Sequence, residues 1–85
     1  MKFTAEIDIM PHKELLDPQG KTVAHNMHHL HITGVKDVRI GKHIVMTLEA
    51  ASEAEASEKV ETACKKLLAN LIMESYTFHL SKTEG

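Results

Sequence analysis

The feature that most limits how this chain can fold is the helix start encoded by Asp17-Pro18-Gln19-Gly20. Asp17 suits the N-cap position, because its carboxylate can accept a hydrogen bond from an unpaired amide of the first helical turn. Pro18 then falls at the first helical position, where its fixed φ suits a helix and its missing N–H costs nothing. Gly20 costs up to about 1 kcal/mol relative to alanine inside a helix. We therefore expect another backbone to approach the helix closely at Gly20.

The residues before this helix start alternate between apolar and polar side chains. The apolar members are Phe3, Ala5, Ile7 and Ile9. A period of two predicts a strand with one buried face, and Pro11 ends it because proline cannot donate to a ladder. Beyond the loop, the apolar residues follow a helical spacing. This spacing predicts a helix over residues 18–30, with one stripe facing a core.

Two further strands are predicted over residues 35–40 and 43–50, joined as a hairpin at Gly41-Lys42. A two-residue loop and a three-residue loop give different registers, and a slip of one residue turns every side chain to the other face. A three-residue loop or a bulge produces one coherent apolar face and is the favoured version. Val45 lies on the opposite face in both cases, which indicates that this second face is not simply solvated.

The second half of the chain begins with a capping-box sequence, in which Ser52 caps a helix and Glu55 reaches back to the Ser52 amide. This helix is predicted to continue to Ala69. Its outer face carries two i,i+4 ion pairs typical of a solvated surface, Glu55–Lys59 and Glu61–Lys65. A last strand is predicted over residues 76–80, followed by a frayed polar tail over 81–85.

The predicted element order is β-α-β-β-α-β, in a single α+β domain over residues 1–85. Two right-handed crossovers around a central hairpin give a two-layer arrangement with ferredoxin-like topology. In this fold both helices cover one face of a four-stranded antiparallel sheet. The other face is open in a monomer and would carry Met10 and Val45. Its partial apolarity predicts that it is used for oligomerisation.

The composition excludes several classes of function. A formal net charge of -2, from 10 basic and 12 acidic residues, argues against a nucleic-acid partner. No apolar run approaches the roughly 18 residues of a membrane span, and the N-terminus does not resemble a signal peptide. Cys64 is the only cysteine, which fits a reducing cytoplasm and rules out an internal disulfide. A chain of 85 residues is marginally stable alone, so we expect burial against a protein partner.

Seven histidines are a conspicuous excess in a chain of this length. His25 and His29 have the i,i+4 spacing, and His28 and His31 the i,i+3 spacing, that can present two nitrogens to one metal. A zinc site needs a third protein ligand, and the sequence indicates none, so no metal site is predicted. A small His-rich metal-binding domain is kept as an alternative. Cys64 lies on an apolar helix stripe, which predicts a core residue rather than a nucleophile.

Three blocks of the sequence resemble the PurS family, the small subunit of phosphoribosylformylglycinamidine synthase. They are Leu-Asp-Pro-Gln-Gly-Lys at 16–21, Val-Lys-Asp-Val-Arg-Ile-Gly-Lys at 35–42 and Cys-Lys-Lys-Leu-Leu-Ala-Asn at 64–70. The chain departs from the family at His31, near which the family has a glycine, and over 71–76, where the family's proline is missing. These departures concern the geometry of the helix ends.

The resemblance implies a non-catalytic subunit that joins a large ATP-using synthetase subunit to a glutaminase subunit. The complex converts formylglycinamide ribonucleotide, glutamine and ATP into formylglycinamidine ribonucleotide in purine biosynthesis. ATP, Mg and glutamine would be used by the partner subunits, and this chain would bind no cofactor. A homodimer or tetramer is expected, with no nucleic-acid or membrane partner.

Six residues within the matching blocks are candidates for subunit contact. They are Asp17, Pro18, Gln19, Gly20, Arg39 and Lys42. An amino-acid-binding regulatory module has the same element order and stays a further alternative, although it rests on fold analogy alone.

Overall fold

The computed structural model describes residues 1–15 and 17–83. Within these ranges there are three strands, two α-helices and one π-helical turn. The strands are β1 (Lys2–Pro11), β2 (Lys42–Glu49) and β3 (Glu74–Thr83). The α-helices are α1 (Pro18–His29) and α2 (Glu53–Ala63), and α2 runs directly into the π-helical turn Cys64–Leu68.

The first strand, β1, is the centre of an antiparallel sheet with the order β2-β1-β3. Its register places Ile7 opposite Ile44 of β2 and Phe78 of β3. The alternation predicted from the sequence is confirmed, because the four alternating apolar residues of β1 are at most 3 % exposed. They are Phe3, Ala5, Ile7 and Ile9.

The hydrophobic core lies between this face of the sheet and α2. Ile7 and Ile9 of β1 pack with Val60 of α2 and with Cys64 at the start of the π-helical turn, and all four are fully buried. In the part of the chain that is described, α2 is the one α-helix packed against the sheet. The flanking apolar residues of β2 and β3 are therefore only half-buried. They are Ile44, Met46, Leu48, Tyr76, Phe78 and Leu80.

The prediction of a four-stranded sheet is wrong, because residues 35–40 form no strand. The backbone N–H of Ile40 donates to the Asp17 carboxylate at 2.9 Å, so it is not available to a neighbouring strand. The predicted hairpin at Gly41-Lys42 does not form either. Instead, Lys42 begins β2 and pairs directly with Ile9 of β1. The observed order is β-α-β-α-β.

The two helices do not share one face of the sheet, which corrects a second expectation. Among the described residues, no extensive contact joins α1 to any strand or to α2, and Gly20 is the one buried residue of this helix. We call residues 17–40 the arm. The described chain measures 51 × 29 × 15 Å. Its radius of gyration is 16.7 Å, whereas a compact domain of this length has about 12 Å. The chain is therefore elongated.

The C-terminus of α1 is closed by His31 in the left-handed conformation, with φ of 60°. The His31 N–H donates to the His28 carbonyl at 3.1 Å and the Ile32 N–H to the Met27 carbonyl at 3.0 Å. This pair of bonds is a Schellman motif, in which glycine is the usual residue at the left-handed position. The helix itself ends within a residue of its predicted boundary.

The start of α2 has the predicted cap with one difference. The Ser52 hydroxyl accepts the Glu55 N–H at 3.2 Å, as expected, but the Glu55 carboxylate accepts the N–H of Ala51 instead of Ser52. The two predicted ion pairs are present on the outer face. They are Glu55–Lys59 at 3.2 Å and Glu61–Lys65 at 3.6 Å.

The last strand is longer than the predicted 76–80, because every residue of β3 from Glu74 to Thr83 pairs with β1. Residues 81–83 of the predicted frayed tail therefore belong to the sheet, and 84–85 lie outside the described residues. Tyr76 ties this strand to α2 by donating its hydroxyl to the Glu61 carboxylate at 2.5 Å. This hydrogen bond is the main reason that the pKa of Tyr76 rises to about 12. None of the described helices is long and apolar enough to cross a membrane.

Candidate subunit-contact site

Asp17 connects the beginning of the arm to its end. One carboxylate oxygen accepts the Gly20 N–H at 2.9 Å, and the other accepts the Ile40 N–H at 2.9 Å. The hydrogen bond from Gly20, then that from Ile40, and the nearby charge of Arg39 hold the pKa of Asp17 below its ordinary value. The ionised carboxylate therefore caps α1 and fastens the returning chain against it.

Gly20 explains why the returning chain can come so close. A Cβ at this position would overlap the carbonyl oxygen of Val38 and crowd the Asp17 carboxylate. The sequence predicted a close backbone approach at Gly20, and the structure confirms it. The approaching backbone is that of residue 38, which belongs to the second of the three matching blocks.

A groove lined mainly by apolar surface lies on one side of this junction. Pro18, Gln19 and Val23 of α1 line it, together with Ile40 from the end of the arm. The groove continues the apolar stripe of α1, on which Val23 and Met27 are half-exposed. Leu30, at the far end of this stripe, is 67 % exposed.

A polar cavity of about 400 Å³ lies on the other side of the junction. Three cationic and three acidic side chains line it. They are Lys13, Lys21, Arg39, Glu14, Asp17 and Asp37. One terminal guanidinium nitrogen of Arg39, Nη2, is buried and has no hydrogen-bond partner among the described residues. The cavity is therefore charged but balanced.

The structure brings five of the six candidate contact residues together. Residues 17–20 and Arg39 meet at this junction, whereas Lys42 lies in β2 and pairs with Glu74 at 3.7 Å. Sequence reasoning missed Lys13, Lys21 and Asp37 as neighbours of the site. The sequence signal that could have found them is the clustering of opposite charges around the two matching blocks.

The histidines and the cysteine do not form a second site within the described chain. No three His, Cys, Asp or Glu residues are grouped there so that they could hold a metal ion. The rings of His25 and His29 lie edge to face with centroids 5.2 Å apart, which provides two ligands at most. Cys64 is buried as predicted, and burial raises the pKa of its thiol.

The sheet face opposite α2 is more polar than the sequence suggested. Val45 is 61 % exposed there, and its cross-strand partner on β1 is Glu6. Asp8 binds the His43 ring at 2.7 Å, and Glu6 lies 4.0 Å from the other ring nitrogen. The hydrogen bond to Asp8 is the main cause of a raised pKa of His43. This face is therefore a weaker candidate for an apolar interface than the arm.

The fold and the site define a class of protein: a small α+β chain with one helix packed on a three-stranded sheet and a second helix on a projecting arm. A family model described as PurS, phosphoribosylformylglycinamidine (FGAM) synthase, matches residues 4–82. The chain belongs to this family, and the resemblance drawn from the three sequence blocks is confirmed.

Individual relatives agree with the family match. Over 71 residues, the chain is 46 % identical to the PurS subunit of phosphoribosylformylglycinamidine synthase from Synechocystis. The aligned segment covers 84 % of this chain and 71 % of that protein. The solved structure of PurS from Thermus thermophilus aligns with a TM-score of 0.87 at 33 % identity, covering 99 % of this chain and 100 % of that one. A chain in the PurLQS structure from Thermotoga maritima aligns with a TM-score of 0.88 at 31 % identity, covering 95 % and 99 %.

Proposed function

We propose that this chain is the PurS subunit of phosphoribosylformylglycinamidine synthase and acts as its non-catalytic assembly subunit in purine biosynthesis. The observation that carries this proposal is the match over residues 4–82, together with the alignment to a chain of the Thermotoga PurLQS structure at a TM-score of 0.88. The chain would hold the large synthetase subunit and the glutaminase subunit in one orientation in the cytoplasm.

The assembly role answers a physical requirement of the reaction. Ammonia released by the glutaminase must reach the synthetase without being protonated or lost to water. ATP, Mg and glutamine would bind the partner subunits, and this chain would contribute protein surface alone.

The chain would work as a homodimer, because the arm is not covered by its own sheet. The apolar stripe of α1 is half-exposed, and Leu30 and Ile32 at its end are 67 % and 45 % exposed. The covered face of the sheet also has half-buried apolar residues on both outer strands. A second copy that packs against the arm would bury apolar surface that a single copy leaves in water. A tetramer would result if two such dimers associate.

Reconstitution with the two partner subunits tests the assembly role. Synthetase activity with glutamine as the nitrogen source should rise when this chain is added. Activity with free ammonia should change little, because ammonia does not need to be passed from the glutaminase. Equal glutamine-dependent activity with and without the chain would contradict the proposal.

Light scattering at several protein concentrations tests the dimer. The wild-type chain should show the mass of two or four copies. Met27→Lys, which places a charge on the apolar stripe of α1, should shift the mass toward one copy. Asn26→Lys adds the same charge at an exposed neighbouring position and serves as the control. A wild-type mass of one copy at all concentrations would exclude the homodimer.

A further inference from the structure

The most exposed large apolar side chains of the described chain lie between the π-helical turn and β3. Ile72 is 87 % exposed and Leu67 is 81 % exposed. Leu71 and Met73, beside Ile72, are about half-exposed. We call these four residues the tip. Single apolar residues at a surface are ordinary, whereas a group of large ones in one short segment marks an interaction site.

The turn that carries the tip is held in place by hydrogen bonds. The Asn70 side-chain oxygen accepts the Ile72 N–H at 3.1 Å, and the Asn70 carbonyl accepts the Met73 N–H at 2.9 Å. His12, in the loop after β1, donates its backbone N–H to the Met73 carbonyl at 2.9 Å. Its ring N–H donates to the Leu71 carbonyl at 3.2 Å. Because this backbone is already ordered, little conformational entropy is lost when the tip binds another surface.

A groove of about 240 Å³ adjoins the tip. Five residues line it, namely Pro11, Leu15, Asn70, Met73 and Glu74. A cavity of about 150 Å³ accommodates benzene, so this groove is large enough for one branched aliphatic side chain. Ile72 follows the groove residue Asn70 by two positions and precedes Met73 directly. A protruding aliphatic side chain therefore lies next to a groove that fits a side chain of the same kind.

A protrusion beside a groove is complementary to itself across a two-fold axis, because each copy can fill the groove of the other. Lys66 is exposed next to Leu67, and Glu14 is exposed next to Leu15. With charges of both signs at its border, the tip does not select a strongly acidic or strongly basic partner. We propose that the tip binds a second copy of this chain, with Ile72 of each copy in the groove of the other.

The tip and the apolar stripe of α1 are formed by different segments of the chain. The stripe makes the dimer of the proposed function, and the tip joins two such dimers into a tetramer. The four-copy form of this inference therefore rests on the proposed dimer. A standard interface has about 20–30 residues on each side, and the tip with its groove provides fewer. The tip contact is therefore the weaker one and dissociates first on dilution.

Light scattering over a series of protein concentrations tests the tip contact. Ile72→Lys should raise the dissociation constant for the step from two to four copies at least about 10-fold, because it would bury an unpaired charge. The substitution leaves the fold of the single chain intact, since Ile72 is exposed there. Thr62→Lys adds the same charge at an exposed position of α2 and should change this constant less than about 2-fold. Equal effects of the two substitutions, or an unchanged mass in Ile72→Lys, would overturn the proposal.

The same measurements separate this inference from the proposed function. A wild type of two copies that Ile72→Lys converts to one copy would support the tip contact and refute the dimer formed by α1. A chain without effect on glutamine-dependent activity would refute the assembly role and leave the tip contact standing. If Ile72→Lys keeps the wild-type mass but weakens binding to the synthetase or glutaminase subunit, the tip belongs to that subunit, and the second copy is overturned as its occupant.

Disulfide cross-linking tests the pairing of the tip with the groove. Leu15→Cys and Ile72→Cys, mixed and allowed to exchange copies under mild oxidation, should form a linked pair faster than either variant alone. Cys64 is fully buried, so it does not compete. Equal rates in the mixture and in the separate variants would overturn the insertion of Ile72 into the groove.

Discussion

The carboxylate of Asp17 accepts the backbone N–H of Ile40 at 2.9 Å, across 23 residues of sequence. This bond closes the arm, because Asp17 begins it and Ile40 ends it. The same carboxylate caps α1 through the Gly20 N–H. One side chain therefore both starts the helix and returns the chain toward β2.

The closed arm should open at low pH. Its hydrogen bonds lower the folded-state pKa of Asp17 below the ordinary 3.8, so their contribution is present above pH 3.8 and is lost as the pH falls through the folded pKa. Hydrogen exchange of the Ile40 amide, corrected for intrinsic rate, should lose protection in that acidic range. In Asp17→Asn, the Ile40 amide should be less protected than in the wild type at pH 7. Its protection should not fall further as the pH drops below 4. Asp37→Asn, a carboxylate of the same cavity, should retain the wild-type pH profile; an unchanged profile in Asp17→Asn would contradict the account.

Gly20→Ala should loosen the arm even though alanine favours a helix by about 1 kcal/mol. The added Cβ would overlap the Val38 carbonyl oxygen, so residues 38–40 would have to move away from α1. We expect faster amide exchange at Ile40 and weaker binding to the partner subunits. The unfolding of the sheet core should change little, because α1 makes no extensive contact with it. Asn26→Ala, at an exposed position of the same helix, is the matched control. A loss of affinity that is explained entirely by a lower free energy of unfolding would show that Gly20 acts only in the local cap.

His31→Gly should stabilise the C-terminus of α1 by about 0.5–1 kcal/mol, because glycine adopts positive φ without the steric cost that a Cβ imposes. His31 has φ of 60° in the Schellman turn that ends the helix. Amide exchange at Leu30 and Ile32 should slow accordingly. His28→Gly, inside the last turn, should instead accelerate exchange by the equivalent of about 1 kcal/mol. The same response to both substitutions would argue against the left-handed geometry.

The elements that could be predicted from sequence are those whose determinants lie close together in the chain. Alternation over Phe3–Ile9 fixes which side of β1 is buried, whatever the neighbouring strands are. The caps at Asp17 and Ser52 involve atoms three residues apart, and both are present. The burial of Cys64 likewise follows from its place on an apolar helix stripe.

The arm could not be predicted, because its determinants are distant in sequence. Residues 35–40 have the composition of a strand, but a strand requires a partner, and the Ile40 N–H is taken by Asp17. The apolar stripe of α1 indicates that one face of the helix packs against another surface. It does not indicate which surface that is. The cavity around Arg39 depends on the same return of the chain. The candidate contact residues lie in sequence blocks that resemble the family, but the hydrogen bond from Ile40 to Asp17 that brings them together has no local signal in the sequence.

The His43–Asp8 pair should make the stability of the sheet depend on pH near neutrality. Hydrogen bonding to Asp8 raises the folded-state pKa of His43 above its ordinary 6.5, and the Glu6 charge adds to this. The contribution is therefore fully present below pH 6.5 and is lost as the pH rises through the folded pKa. The urea midpoint should fall over that interval in the wild type and stay flatter in His43→Gln. His25→Gln on the arm is the control. An NMR titration of His43 that shows no downward shift of its pKa in Asp8→Asn would contradict this mechanism.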